Sequence, residues 1–233
     1  MTHPHRQTRA PLLPFPTQHG GARPGAGRKP KGQRPLVGHR VRPALAARFP
    51  VLVTVKLREH LPRLRRSPEY AALRAAFAAG KDRFGFRLAH YAVLNDHLHF
   101  VVEANDRTSL RAGLQGLLIR IARAINKLWR RRGKVFADRY HDRILTSPRE
   151  VRNALVYVLG NARKHAAAGR MLAAPRAVDR FTSALWFDGF ASAVVVQGLE
   201  RAERPTTDGR TWLLRTGWRR HGLLRVDEMP RTG

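Results

Sequence analysis

Of the 233 residues, 45 are Lys or Arg and 16 are Asp or Glu, a formal net charge of +29; folding does not need that imbalance and self-repulsion opposes it, so a polyanion is the expected partner. A hydrophobic content of 43% suffices for one domain, with or without extensions, and the absence of cysteine excludes disulfides, a thiolate zinc site and a cysteine nucleophile. No stretch approaches the roughly 18–20 apolar residues of a membrane span, and prolines and histidines stand where a signal peptide would be apolar, so the expectation is a cytoplasmic nucleic-acid-binding protein with no membrane partner.

Residues 1–48 contain no acid and are rich in Pro, Gly and Arg. Such a segment cannot bury enough apolar surface to fold alone, and it reads as a disordered arm with Arg23, Arg28, Lys29 and Lys31 available to phosphates or a minor groove. Pro50–Leu57 is rich in β-branched residues and bounded by Pro, and reads as a strand. Ser67–Gly80 reads as a helix with Ser67 as its N-cap and Pro68 at the first position. Phe84–Leu94 alternates into a second strand, Asn95-Asp96 marks a turn, and His97–Ala104 pairs back as a third strand.

A long amphipathic helix follows, from about Thr108 to Arg132. Leu110, Leu114, Leu117, Ile121, Ile125 and Leu128 make one buried stripe. Arg111, Arg120, Arg123, Lys127 and Arg130 decorate the other faces, and no acid occurs from Arg107 to Ala137, so this surface is expected to face phosphates. Gly133 ends the helix, and a loop leads into a fourth strand, Arg143–Thr146. Ser147-Pro-Arg-Glu150 combines a capping Ser, a first-position Pro and a reciprocal Glu, the signature of a helix start. The order β-α-β-β-α-β-α predicts an α+β fold, a ferredoxin-like split βαβ with an antiparallel sheet, helices on one side and a C-terminal helical extension. Three regions result: an arm at 1–48, a principal domain at 49–170 and an accessory segment at 171–233. Within the last, Trp186, Trp212 and Trp218 suggest a small helical packing element; the short aromatic and basic run Thr211–Arg220 suits either core capping or base stacking, with packing the favoured reading.

Two constellations carry chemistry. His97 and His99 flank Leu98 on a strand, so their imidazoles share one face, half of a metal site. Tyr157 and Asn161 are four apart on the last helix and stand one above the other. A zinc site completed by His141 is a further option, and Tyr140, just before the fourth strand, is a rival nucleophile.

Leu94-Asn-Asp-His-Leu-His-Phe-Val-Val-Glu103 resembles the His-hydrophobic-His strand of single-tyrosine HUH transposases. Gly133–Tyr140 and Leu155–His165 are similar to the segments that follow it there, in particular in the insertion-sequence-200-like group with its REP-associated tyrosine transposases. The resemblance spans about Pro50 to Arg170. It implies the fold of an HUH nuclease, Tyr157 as nucleophile, and His97, His99 and Asn161 as ligands of Mg²⁺ or Mn²⁺. It implies cleavage and rejoining of single-stranded DNA beside a hairpin through a 5′-phosphotyrosine, in transposition or REP-element mobilisation. The family often has Pro where this chain has Asn95, and Gln where it has Asn161. REP-associated members tend to act as monomers, so a monomer is expected over a homodimer. The other readings are a domesticated, non-catalytic nucleic-acid-binding protein on this fold, and a replication-initiator or relaxase nuclease.

Overall fold

In the computed structural model, residues 42–166, 178–194 and 203–228 are described, those of 161–166 by backbone only. All of them belong to one compact unit, Val37–Gly233. The arm residues Arg23, Arg28, Lys29 and Lys31 lie outside the described residues.

Five strands form one antiparallel sheet. They are β1 (Val51–Lys56), β2 (Asp82–Arg83), β3 (Phe86–Val93), β4 (His97–Ala104) and β5 (His141–Ile144), in the order β2-β3-β4-β1-β5. With α1 (Ser67–Gly80), α2 (Arg107–Leu128) and α3 (Pro148–Ala166) between and after them, this is the expected α+β, ferredoxin-like arrangement. Several boundaries differ from the sequence expectation. Phe84-Gly85 turns the chain, so the second predicted strand is split into β2 and β3. The α1 cap is Arg66, without a side-chain hydrogen bond, and Ser67 is already helical. The long helix ends at Leu128, and Arg130 lies beyond it at φ 50°. The last strand begins two residues early, at His141.

The expectation of helices on one side needs correction. Val51, Val53 and Val55 of β1 and Leu98, Phe100 and Val102 of β4 pack with Leu73 and Phe77 of α1 and with the α2 stripe Leu110, Leu114, Leu117, Ile121 and Ile125. Ala92 and Val101 face the other way, onto Val151, Leu155 and Val158 of α3. Alternation gives each face of the sheet its own apolar set, and on β3 a bulge between Leu88 and His90 re-phases it. Leu88 and Tyr91 therefore share one core while Ala89 and Ala92 share the other, and a strand buried on both faces needs helices on both. Gly113 lets α2 approach closely, because a Cβ there would meet the Phe86 ring at 2.2 Å.

The C-terminal segment completes the second layer. A 3₁₀ turn at Ser183–Trp186, α4 (Trp212–Arg215) and a 3₁₀ turn at Gly217–His221 place Trp218, 1% exposed, among Leu213, Leu214, Phe187 and the α3 side chains. Phe181 and Thr182 cover the edge of β3 beyond the short β2, with Val93 N donating to Phe181 O. Two buried polar groups of the sheet hold this segment. Glu103 on β4 pairs with Arg87 and accepts from the backbone N–H groups of Arg210 and Thr211. His90 on β3 lies 3.3 Å from Ser183 Oγ and edge-on to Phe187.

Burial, helped by the Arg204 charge, lowers the His90 pKa from 6.5 to about 4. The folded chain thus keeps His90 neutral where the unfolded chain protonates it, so stability is complete above pH ~6.5 and falls as pH drops towards ~4. His90→Gln should flatten this part of the stability curve. Denaturant melts of both proteins between those pH values measure the difference, and parallel curves would show that His90 does not carry it.

Candidate functional site

Sheet register assembles the site from the histidine strand outward. Thr54 of β1 stands opposite His99 and Lys56 opposite His97, on the face that carries α3. Thr54 Oγ1 lies 2.9 Å from His99 Nδ1, and Asp96 Oδ1 of the β3–β4 turn lies 2.7 Å from His97 Nδ1. In both rings Nδ1 is therefore engaged by an oxygen, the arrangement that orients imidazoles in metal sites. The rings sit nearly perpendicular with centroids 4.7 Å apart. His99 is 2% exposed, and His97 lies nearer the surface.

The capping box predicted at Ser147 forms. Glu150 N donates to Ser147 Oγ, while Glu150 accepts from the backbone N–H of Thr146 and Ser147 and from the Arg143 guanidinium. Burial opposes ionisation of Glu150, but the bonds from Thr146 and Arg143 outweigh it and lower its pKa to about 2. A helix started there and seated by Val151, Leu155 and Val158 turns Tyr157 towards β4. Tyr157 Oη lies 3.1 Å from His99 Nε2, with ring centroids 4.8 Å apart. Burial raises the Tyr157 pKa above its ordinary value near 10, so the neutral phenol dominates at pH 7.

The structure thus brings His97, His99 and Tyr157 together. Asn161 follows one turn later on α3, and its side chain lies outside the described residues. Among the described residues there is no group of three or more His, Asp or Glu side chains that could hold a metal. His141 lies in register with Thr54 on β5, one strand further from His99, and does not join the pair. Tyr140, the rival nucleophile, packs with the opposite core, beneath the Arg42 guanidinium 3.9 Å from its ring centroid.

No known family matches the chain, and no curated protein does. A solved structure is similar to it: that of a REP-associated tyrosine transposase bound to a REP hairpin, at 18% identity and a TM-score of 0.47, over 58% of this chain and 76% of that one.

The basic residues read from the sequence lie elsewhere. Arg111, Arg120, Arg123 and Lys127 are on α2, whose apolar stripe joins the opposite core, and Arg130 follows its end. Arg111, Arg123, Lys127 and Arg130 are exposed, while Arg120 is half-buried and donates to Gly116 O within its own helix. The α2 surface and Tyr157 are therefore on opposite sides of the sheet. Thr54 was missed by sequence reasoning. Its only signal is a polar residue between Val53 and Val55, and its partner depends on a strand register that composition does not specify. No helix among the described residues is long and apolar enough to cross a membrane.

Proposed function

We propose that this chain is a metal-dependent DNA endonuclease and strand transferase of the single-tyrosine HUH type, acting on single-stranded DNA beside a hairpin. The observation that carries this reading is the Tyr157 hydroxyl 3.1 Å from His99 Nε2, which joins a phenol to two oriented imidazoles, with Asn161 one turn further along the same helix. In the first step the Tyr157 oxygen attacks a backbone phosphorus as the bond from phosphorus to the 3′-oxygen breaks. The phenolic proton leaves, the departing 3′-oxygen takes one up, and a 5′-phosphotyrosine forms. Attack by a free 3′-hydroxyl on that linkage rejoins the strand without ATP, because the phosphodiester bond energy is conserved.

The chain's own residues orient and activate. The β4 strand fixes both imidazoles, Thr54 and Asp96 hold their Nδ1 atoms, and His99 Nε2 faces the phenol. A raised Tyr157 pKa means that ionising the phenol is the cost the site must lower. The donor set fits a divalent cation that arrives with phosphate: His97 and His99, with Asn161 as the position for a third ligand, leave places for water and phosphate oxygens, as Mn²⁺ or Mg²⁺ requires. When bound, that cation supplies charge neutralisation on the non-bridging oxygens. The basic side chains of α2 and the arm hold the DNA backbone, with binding that weakens as salt rises. The protein works as a monomer in the cytoplasm.

The test is a nicking assay on labelled hairpin-flanked oligonucleotides with Mn²⁺ or Mg²⁺. A covalent protein–DNA band that requires metal and is lost in His97→Ala is the expected result. A band of equal intensity in EDTA, or in His97→Ala, would exclude the metal role of the histidine pair. Tight, salt-sensitive binding with no cleavage on any substrate would select the domesticated binding protein instead.

A further inference from the structure

Two exposed aromatic side chains at one end of the sheet lie outside the site and outside both cores. Phe84 occupies the first position of the two-residue turn between β2 and β3, with φ 56°, followed by Gly85 at φ 72°. Turns with two positive φ values favour Asn-Gly, because a bulky side chain is strained there. Phe84 is nevertheless 68% exposed, so packing does not compensate the strain. Trp212 is 49% exposed at the start of α4. Its indole rests against Gly217, where a Cβ would come within 2.6 Å of the ring, and the Arg220 guanidinium lies 4.8 Å from its centroid.

The two aromatics are joined by an ion pair. Arg210, two residues before Trp212, reaches Asp82, two residues before Phe84, at 3.2 Å. The buried Glu103 fixes the same stretch to β4 through the N–H groups of Arg210 and Thr211. Gly85 adjoins Asn105 and Ser109 at the start of α2, so this end of the sheet connects the basic α2 surface with the α3 face. Arg83, Arg215 and Arg220 are exposed around it, and among the described residues no carboxylate pairs with any of the three. Tyr157 meets β4 at His99, four residues before Glu103, which sets Glu103 about 13 Å along the strand from the tyrosine contact.

We propose that Phe84 and Trp212 form a base-stacking surface for unpaired nucleotides of the DNA, remote from Tyr157, with Arg83, Arg215 and Arg220 on its phosphates. Rings on a basic surface are how proteins hold single strands without sequence readout, since every base offers a face to stack on. The surface rests on the cleavage reading above for its substrate. It also supplies a route by which one strand passes from α2 around the sheet end to the α3 face.

The experiment measures binding of labelled oligo(dT) to the full chain by fluorescence anisotropy, together with melting temperature. Phe84→Asn should raise Tm, because Asn suits the turn, and at the same time weaken binding by about fivefold or more. Trp212→Ala should weaken binding to a similar extent with an unchanged salt slope, since stacking releases no counterions. Trp212→Phe, which keeps an aromatic ring at that position, should retain part of the affinity. Affinities of Phe84→Asn and Trp212→Ala both within about twofold of the original chain would overturn the proposal. Parallel reactions with hairpin-flanked DNA separate the two readings. A covalent band with binding indifferent to both aromatics removes the stacking surface alone, whereas binding that depends on both, without any covalent band, removes the cleavage reading alone. A chain that binds no single-stranded DNA overturns both.

Discussion

Tyr157→Phe should abolish covalent attachment to DNA and lower strand cleavage by about 10³-fold or more, because it removes the oxygen that forms the proposed phosphotyrosine. The substitution removes one oxygen and keeps the ring, so the edge contact with His99, at 4.8 Å between centroids, is retained. The lost bond from Oη to His99 Nε2 costs about 1 kcal/mol, too little to unfold a domain with cores on both sides of its sheet. Cleavage should therefore vanish while Tm and oligonucleotide binding stay near their original values. Tyr140→Phe is the matched control. Tyr140 packs into the core on the other face of the sheet, where burial raises its pKa although the adjacent Arg42 charge lowers it. That substitution should leave the covalent band in place. A band that survives Tyr157→Phe and disappears in Tyr140→Phe would reverse the assignment.

The largest loss of stability is expected at Glu103. It is fully buried, its Oε2 lies 3.0 Å from Arg87 Nε, and both carboxylate oxygens accept backbone N–H groups from Arg210 and Thr211. Glu103→Ala leaves a nearly buried guanidinium and two N–H donors without their acceptor. Breaking a buried pair by removing one partner costs about 3–5 kcal/mol, which in a chain of this size corresponds to a Tm lowered by about 10 °C. Calorimetry on the variant measures it, with proteolysis reporting whether α4 and Trp218 detach first. A fall of under about 1 kcal/mol would mean that water replaces the carboxylate and that the C-terminal segment is held by Trp218 packing instead.

The contrast between Glu103 and His97 shows what was legible in the sequence. The histidine pair was readable because a strand's period of two is local, and the Ser147–Glu150 cap because its partners are three residues apart. Glu103 could be read only as the end of a strand, since its backbone partners lie 107 and 108 residues away and Arg87 is 16 residues away on another strand. Thr54 was equally silent, because only the β1–β4 register places it against His99. Which face of the sheet α3 covers depends on long-range packing that alternation does not specify, and the bulge in β3 re-phases the alternation counted along Phe84–Leu94. For the same reason the α2 arginines and Tyr157 read as neighbours in function although the sheet separates them. Phe84 inside a predicted strand hid a turn, since the Phe-Gly pair lacks the Asn or Asp that usually announces one.

The most direct test is to trap the covalent complex on a hairpin-flanked oligonucleotide with Mn²⁺, digest it, and sequence the nucleotide-bearing peptide by mass spectrometry. A 5′-phosphate ester on Tyr157, within the α3 peptide that carries Leu155-Val-Tyr-Val-Leu, is the expected result. An adduct on Tyr140 or any other residue, or an ester to the DNA 3′-phosphate, would contradict it.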